Sequence, residues 1–113
     1  MIESYDFGKI TIDGKTYTSD LIIYPDHVDS SWWRKTSHKL GTYDIPDEVF
    51  KQNPDVILVG TGFYDDMKVL PDTKKLIESK GIKLIVDNTK KASDTYNQLS
   101  KTQKVIALFH LTC

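Results

Sequence analysis

Val56–Gly62, which reads VILVGTG, is the stretch of sequence that decides the fold. A continuous apolar run followed at once by glycines is typical of a strand that is buried on both faces of a sheet. Two similar runs occur further along, IKLIV at Ile82–Val86 and VIALF at Val105–Phe109, and helix-like segments separate the three. This order predicts a βαβαβ unit, in which parallel strands are joined by right-handed crossovers.

Local signals mark the ends of the predicted helices. Pro71 suits the first turn of the helix that follows the first run, and Gly81 occupies the position where a left-handed residue ends a helix. The cap of the last helix lies within Asn88–Thr89. A shorter helix is predicted over Asp44–Lys51, with Asp44 as its N-cap.

The first third of the chain predicts antiparallel strands. Phe7–Ile12 alternates apolar and polar residues, and Asp13–Gly14 is a favoured pair for a type I′ hairpin turn. Lys15–Thr18 then returns as the partner strand, Leu21–Tyr24 forms a third strand, and Val28–Trp33 forms a short fourth. The fold class is therefore α/β, with N-terminal antiparallel strands and a C-terminal βαβαβ unit that share a mixed sheet between helices.

Length and charge limit the classes of function. The 113 residues predict a single globular domain spanning residues 1–113. A net charge of −1 gives no general attraction to nucleic acid or to a membrane surface. No apolar run approaches the roughly 18 residues that a membrane span needs. The single cysteine, Cys113, fits a reducing compartment. We therefore expect a cytoplasmic protein that binds neither nucleic acid nor membrane.

Small and polar residues follow each of the three buried runs. Because parallel strands end at the same edge of a sheet, these residues should lie together where open α/β folds bind ligands. They form the candidate rim: Gly60, Thr61, Gly62, Asp87, Asn88, Thr89 and His110. A dinucleotide fingerprint would need a third glycine at the helix start, and the lysine of a P-loop is also missing. A structural tight turn and a loop for a small ligand or a partner stay open as interpretations of Gly60–Gly62.

His110 and Cys113 are the residues that come nearest to a nucleophile with its base. Residues at i and i+3 point to opposite faces of an extended strand, so direct pairing would need a bend. The spacing of the histidines and the cysteine matches no metal site. We therefore predict no catalytic residue, no metal and no cofactor, and a packed, hydrogen-bonded His110 at the strand end.

An aromatic and basic cluster lies between the two halves of the chain. Trp33, Arg34 and His38 are candidates for binding a protein partner, because Trp and Arg are enriched in binding hot spots. The other interpretation places one tryptophan in the core and leaves a solvated basic loop. Asp20, like the other early aspartates, is assigned to a turn.

One set of motifs extends in order along the whole chain: Phe7–Gly14, Asp20–Pro25, Trp33–Arg34, His38, Gly60–Gly62, Tyr96–Asn97 and His110–Cys113. In these motifs the chain resembles a family of small single-domain proteins of unknown function. That family includes the human adipogenesis-associated domain protein and, more distantly, a mitochondrial respiratory complex I assembly factor. The resemblance implies a three-layer α/β/α fold with a central mixed sheet. It assigns no activity and no catalytic residue.

Two functions of different class follow from these observations. The first is a non-enzymatic protein-interaction or assembly module, favoured by the assembly-factor member of the family and by the lack of a catalytic set. The alternative is a small-molecule-binding protein or an enzyme that uses the candidate rim. A closed rim beside an exposed Trp-Arg surface would favour the first function. A bound ligand or a perturbed acid–base pair at the rim would favour the second.

Overall fold

The three apolar runs form neighbouring parallel strands of one sheet in the computed structural model, which describes residues 1–113. The strands are β1 (Ile2–Asp6), β2 (Lys9–Ile12), β3 (Lys15–Tyr17), β4 (Leu21–Ile23), β5 (Val28–Asp29), β6 (Lys39–Leu40), β7 (Val56–Thr61), β8 (Lys68–Val69), β9 (Lys83–Asp87) and β10 (Val105–His110). The helices are a 3-10 helix (Thr42–Asp44), α1 (Asp47–Lys51), α2 (Pro71–Ser79) and α3 (Thr89–Leu99). None of these helices is both long and apolar enough to cross a membrane.

The main sheet has the strand order β5-β4-β10-β7-β9. β10 pairs in parallel with β7, which places His110 opposite Thr61, and β7 pairs in parallel with β9. β4 is antiparallel to both β10 and β5. Two smaller sheets accompany it: the antiparallel sheet β1-β2-β3 and the parallel pair β6-β8. The central strand of the main sheet is thus β10, which is buried along its whole length.

Side chains that alternate along the strands build a core on each face of the main sheet. On one face, Leu58 and Phe109 pack with α3 and the β1-β2-β3 sheet. On the other face, Ile57 and Leu108 pack with α1, α2 and the β6-β8 pair. The predicted class is confirmed: the fold is a mixed α/β arrangement with antiparallel N-terminal strands and a central mixed sheet between helices. The predicted hairpin strands β2 and β3, however, pair with β1 in a separate sheet, and only β4 and β5 of the N-terminal strands belong to the central sheet.

The turn and cap predictions hold at several positions. Asp13 and Gly14 have φ values of 47° and 82°, as a type I′ hairpin requires, and they join β2 to β3. Gly81 has a φ of 74° just after α2, which begins at its proline. The Asn88 side chain caps α3 by accepting a hydrogen bond from the Lys91 N–H (3.0 Å).

The N-terminal strands differ from the prediction. The chain begins with β1, which the sequence pattern does not indicate, and Phe7 and Gly8 form the turn into β2 rather than the start of a strand. The predicted fourth strand Val28–Trp33 shrinks to the two residues of β5. Beyond it, the Ser31 N–H donates to the Asp29 carboxylate (2.9 Å), which turns the chain away from the sheet.

The predicted cap of α1 is also wrong. Asp44 lies in the 3-10 helix, and Pro46 is the N-cap of α1. Asp44 is buried, and its carboxylate accepts the backbone N–H groups of Lys35 (2.9 Å) and Gly41 (2.8 Å). The carboxylate therefore holds the loop that carries the aromatic and basic cluster instead of a helix end.

Candidate functional site

The ends of β7, β9 and β10 meet through a chain of hydrogen bonds. The Gly62 N–H donates to Thr89 Oγ1 (2.8 Å), and that hydroxyl donates to the backbone oxygen of His110 (2.6 Å). The Thr61 hydroxyl, from the strand beside β10, contacts the Asp65 carboxylate and lies 3.0 Å from the backbone oxygen of Asp87. The structure therefore brings the candidate rim together at one edge of the main sheet.

The glycines of the candidate rim serve close packing. A Cβ atom on Gly60 would lie 2.8 Å from the Phe109 ring. A Cβ atom on Gly62 would lie 2.7 Å from the backbone oxygen of Thr112 and 2.8 Å from Cδ2 of His110. Real Cβ atoms do not approach other atoms this closely, so both positions require glycine. These contacts agree with the tight-turn interpretation of the loop.

The open pockets of the molecule lie away from the candidate rim. The largest, of about 250 Å³, lies between β1 and α3 and is lined by Tyr5 and Asn97 among others. Pockets of about 200 and 140 Å³ lie beside Phe50 and beside Tyr96. None of the three is lined by a residue of the candidate rim. Five residues of the rim are buried, and the other two, Asp87 and Asn88, are half-buried.

His110 of the rim forms a cross-strand pair with Asp20, whose side chain is 21% exposed. In the antiparallel register of β4 and β10, Ile22 is opposite Leu108. Continuing that register places Asp20 opposite His110 on the same face. Asp20 Oδ2 lies 2.8 Å from His110 Nδ1, and Asp20 Oδ1 accepts the backbone N–H of Leu111 (2.8 Å). The Asp20 carboxylate thus connects the residue that precedes β4 to the end of β10.

Arg34 completes this group, which we call the buried cluster: Asp20, Arg34 and His110. Its Nη1 lies 2.9 Å from Asp20 Oδ2, and its Nη2 lies 3.0 Å from His110 Nδ1. Nε and Nη2 also donate to the backbone oxygen of Ser37 (3.2 and 2.6 Å), and the guanidinium stacks 4.7 Å from the Trp32 ring. The Arg34 side chain is only 3% exposed, so its charge depends on these partners.

Hydrogen bonds and the charge of Arg34 stabilise the ionised form of Asp20 in the buried cluster. Burial opposes ionisation of Asp20, but the bonds from His110 and from the Leu111 N–H, with the charge of Arg34, outweigh it and lower the pKa of Asp20 below its ordinary value. His110 Nδ1 either donates to Asp20 or accepts from Arg34, since a single ring nitrogen cannot do both.

One atom of the buried cluster has no partner. His110 Nε2 is the only buried side-chain nitrogen or oxygen in the protein without a hydrogen bond. The nearest aromatic neighbour is His38, whose ring centroid is 5.8 Å from that of His110. In the neutral tautomer with the proton on Nδ1, Nε2 is a hydrogen-bond acceptor without a partner.

The candidate partner-binding residues have different surroundings. Trp33 is 76% exposed and His38 is also exposed, whereas Arg34 is buried in the cluster. The neighbouring Trp32 is the core tryptophan, and its Nε1 donates to the backbone oxygen of Asp44 (2.8 Å). The expectation of a solvated basic loop is therefore wrong at Arg34, and Trp33 and His38 are the members of the set that face solvent.

A second group of exposed rings includes the two residues that follow Gly62 of the candidate rim in the sequence. We call it the aromatic patch: Phe7, Phe63 and Tyr64. The ring centroids lie 5.9 Å apart for Phe7 and Phe63, 6.1 Å for Phe7 and Tyr64, and 5.0 Å for Phe63 and Tyr64. These side chains are 49%, 38% and 65% exposed, respectively. They are large apolar groups in mutual contact that remain in water.

Sequence reasoning missed Asp20 and Tyr5. Asp20 could have been found from its position two residues before the core residue Ile22, because residues two apart in an extended chain point to the same face of the sheet. Tyr5 lies in the strand that the pattern does not indicate, and its hydroxyl donates to the backbone oxygen of Leu111 (2.7 Å). Burial raises the pKa of Tyr5 to about 12, so this hydroxyl remains a donor at neutral pH.

No group of three or more His, Cys, Asp or Glu residues is arranged to hold a metal ion.

Fold and site together define a small mixed α/β domain with a largely buried rim and an ionic cluster beneath it. The chain belongs to the family described as protein of unknown function (DUF498/DUF598), which it matches over residues 2–110. A solved structure titled conserved hypothetical protein PH1505 from Pyrococcus horikoshii OT3 is 31% identical, with a TM-score of 0.86 over 100% of this chain and 99% of that chain.

Two solved structures at lower identity are similar in fold. XCC1710 of Xanthomonas campestris is 22% identical, with a TM-score of 0.79 over 98% of this chain and 83% of that chain. A Mth938-like domain protein of Bordetella pertussis is 18% identical, with a TM-score of 0.68 over 98% of this chain and 85% of that chain. The fold of this domain is therefore Mth938-like.

Proposed function

We propose that this domain is a non-enzymatic protein-interaction or assembly module that binds its partner through the aromatic patch. The observation that carries the proposal is the patch itself, in which Phe7, Phe63 and Tyr64 contact one another and stay exposed. Aromatic side chains are enriched at the centre of protein interfaces. The Phe63 N–H donates to the backbone oxygen of Thr112 (2.7 Å), so part of the surface is held in place before binding.

Charges beside the aromatic patch favour a partner of particular chemistry. Asp6 precedes the first ring, and Asp65 and Asp66 follow the last; all three are exposed. Lys9 and Lys68 are the basic residues nearest to them in sequence. Because the carboxylates outnumber the lysines, the surface suits a protein segment that carries apolar side chains between Lys or Arg residues.

Two further observations support a binding role. Trp33, with His38, is a second exposed anchor on the loop that Asp44 holds. The resemblance to a complex I assembly factor points the same way, since assembly factors act by binding other proteins.

A cytoplasmic setting belongs to the proposal, because the unpaired Cys113 suits a reducing compartment.

The experiment is a photo-crosslinking comparison. A benzophenone amino acid is placed at Tyr64 or, as a matched control, at Tyr43, because the two tyrosines are exposed to the same fraction, 65%. Cells are irradiated, and captured proteins are identified by mass spectrometry. We expect a protein with basic segments to be captured from Tyr64 and absent from the Tyr43 sample. Equal capture from both positions would contradict the proposal.

Binding of the captured protein is then measured with purified components. A Phe7→Ser/Tyr64→Ser variant should bind about 30-fold more weakly, as expected when an anchor worth about 2 kcal/mol is lost. A Tyr43→Ser variant should bind like the wild type, and added salt should weaken the wild-type complex. Unchanged affinity in the double variant would remove the aromatic patch from the interface.

The alternative function, a small-molecule-binding protein or an enzyme at the candidate rim, is supported by the unpaired Nε2 of His110. A ligand there would have to open the packing around Gly62. Native mass spectrometry of the protein purified from cells tests it. A bound small molecule that is lost in a His110→Gln variant, whose fold is checked by circular dichroism, would favour the alternative over the interaction module.

A further inference from the structure

β9 is an uncovered edge of the main sheet. It pairs with β7 on one side, and no strand pairs with its other side. Leu84 packs into the core on the α2 face and Ile85 into the core on the α3 face, while Val86 is 44% exposed. The strand has five residues, whereas β5 at the opposite edge has only two. A long unpaired edge is a ready template for another strand.

The backbone of β9 presents alternate residues to the open side. The Lys83 N–H donates to the backbone oxygen of Asp55 (3.1 Å), on the side of β7. Along a parallel strand the N–H and C=O of successive residues point alternately to the two sides. Leu84 and Val86 therefore present their N–H and C=O groups outward. The backbone oxygen of Asp87 faces β7, where it lies 3.0 Å from the Thr61 hydroxyl, and this agrees with the alternation.

One antiparallel register matches these outward groups over the whole strand. Leu84 pairs with Val86 of a second copy, and each pair exchanges both N–H···O=C bonds. Ile85 then lies on the two-fold axis. Lys83 faces Asp87 of the second copy on the α3 face, and the same contact is repeated at the other end. Opposite charges directly across antiparallel strands stabilise the pairing, and like charges destabilise it.

We propose that β9 is a dimerisation edge, at which a second copy of this chain adds its own β9 antiparallel about a two-fold axis. Such an interface is isologous and closes after two copies, so it does not lead to fibres. The Asp87 carboxylate is available for the contact, because only its Oδ1 accepts the Asn88 N–H (2.8 Å) and Oδ2 is free. The dimer does not depend on the aromatic patch.

Charge reversal tests the register. Sedimentation velocity over about 1 µM to 1 mM should show the wild type changing from monomer to dimer. Lys83→Glu and Asp87→Lys should each weaken the dimer by on the order of tenfold or more, because each variant places like charges in both end contacts. An equimolar mixture of the two variants should regain the wild-type affinity. Lys75→Glu, an exposed change of equal charge on α2, should leave the dimer unaffected.

Hydrogen exchange supplies a second readout in the unmodified protein. The outward amides of Leu84 and Val86 should exchange rapidly when the protein is dilute and become protected as its concentration rises, whereas the inward amide of Ile85 should be protected throughout. Circular dichroism confirms that the variants are folded. A wild type that stays monomeric at the highest concentration overturns the proposal. That result is expected if the β9 edge binds an extended peptide from another protein instead of a second copy. Dimers of equal strength in all single variants also overturn it.

Discussion

Asp20→Asn is the substitution that tests the buried cluster most directly. Asp20 Oδ2 lies 2.8 Å from His110 Nδ1 and 2.9 Å from Arg34 Nη1, and Asp20 Oδ1 accepts the Leu111 N–H at 2.8 Å. Asparagine removes the charge and turns one oxygen into a donor, so the guanidinium of Arg34 stays buried with its countercharge lost. Breaking a buried ion pair in this way costs about 3 kcal/mol. The entropy of unfolding for 113 residues is about 0.24 kcal/mol/K, so Tm should fall by about 12 °C.

The chain contains a matched control for this substitution. Asp26 lies 2.8 Å from the Nδ1 of His27, the same distance as in the buried pair, but its side chain is 75% exposed. Asp26→Asn should therefore leave Tm within the error of the measurement, because water replaces the lost contact. Thermal and urea denaturation followed by circular dichroism measure both variants. Equal losses of stability in the two variants would refute the assignment of the stability to the buried cluster.

The pH dependence of the Asp20→Asn effect follows from the depressed pKa of Asp20. A carboxylate whose folded-state pKa lies below its unfolded value of 3.8 contributes stability above that value and loses it as the pH falls through the folded-state pKa. The wild type and Asp20→Asn should therefore differ fully near neutral pH. The difference should narrow as the pH falls below about 3.8. A difference that is constant from neutral to acid pH would contradict this account.

The remaining predictions concern turns, loops and the thiol. Gly14→Val should cost about 1–2 kcal/mol from backbone strain alone, since the φ of Gly14 is 82° and no atom lies within 4 Å of a Cβ; an unchanged urea midpoint would contradict this. Gly62→Ala should cost more than Gly14→Ala in the same titration, because the added Cβ also meets backbone oxygens at 2.7 Å; equal costs would mean that the rim is loosely packed. Trp33→Ala should leave Tm unchanged while Arg34→Ala lowers it by several degrees, and the reverse order would contradict the burial assigned to the two residues. Cys113→Ser should retain partner binding, and the thiol should react with iodoacetamide at an ordinary rate; rapid alkylation below about pH 7 would indicate an activated pair with His110.

The sequence predicts the C-terminal half of the fold because the signal there is local. β7, β9 and β10 contain the continuous apolar runs Val56–Val59, Leu84–Val86 and Val105–Phe109, and the residues that bound the helices act within one turn. The missed strand β1 shows the opposite case. Glu3 and Ser4 are both exposed, and a register shift between Ile2 and Ser4 breaks the alternation on which a strand assignment depends. The two-residue strands β6 and β8 are too short to carry any pattern.

The candidate site was less predictable because its contacts are distant in sequence. The rim residues follow their strands directly, so their meeting at one edge follows from the parallel order. Asp20, in contrast, resembles any turn aspartate until β4 is paired with β10, which lies far along the chain. Arg34 is buried by contacts that include Asp20 and His110, of which His110 is 76 residues away in the sequence. The aromatic patch joins Phe7 to Phe63 across separate sheets, and no spacing in the sequence predicts that contact.

The position of β10 at the centre of the main sheet has a consequence for biosynthesis. β4 and β7 are linked in the sheet only through β10, so they stay unconnected until Val105–His110 has emerged from the ribosome and entered between them. The β2-β3 hairpin can form early, and β7 can pair with β9 once Lys83–Asp87 is available, but the other side of β7 stays unpaired until β10 arrives. This protein should therefore fold after most of the chain has been synthesised. A ribosome stalled before residue 105 should carry an aggregation-prone nascent chain that chaperones bind.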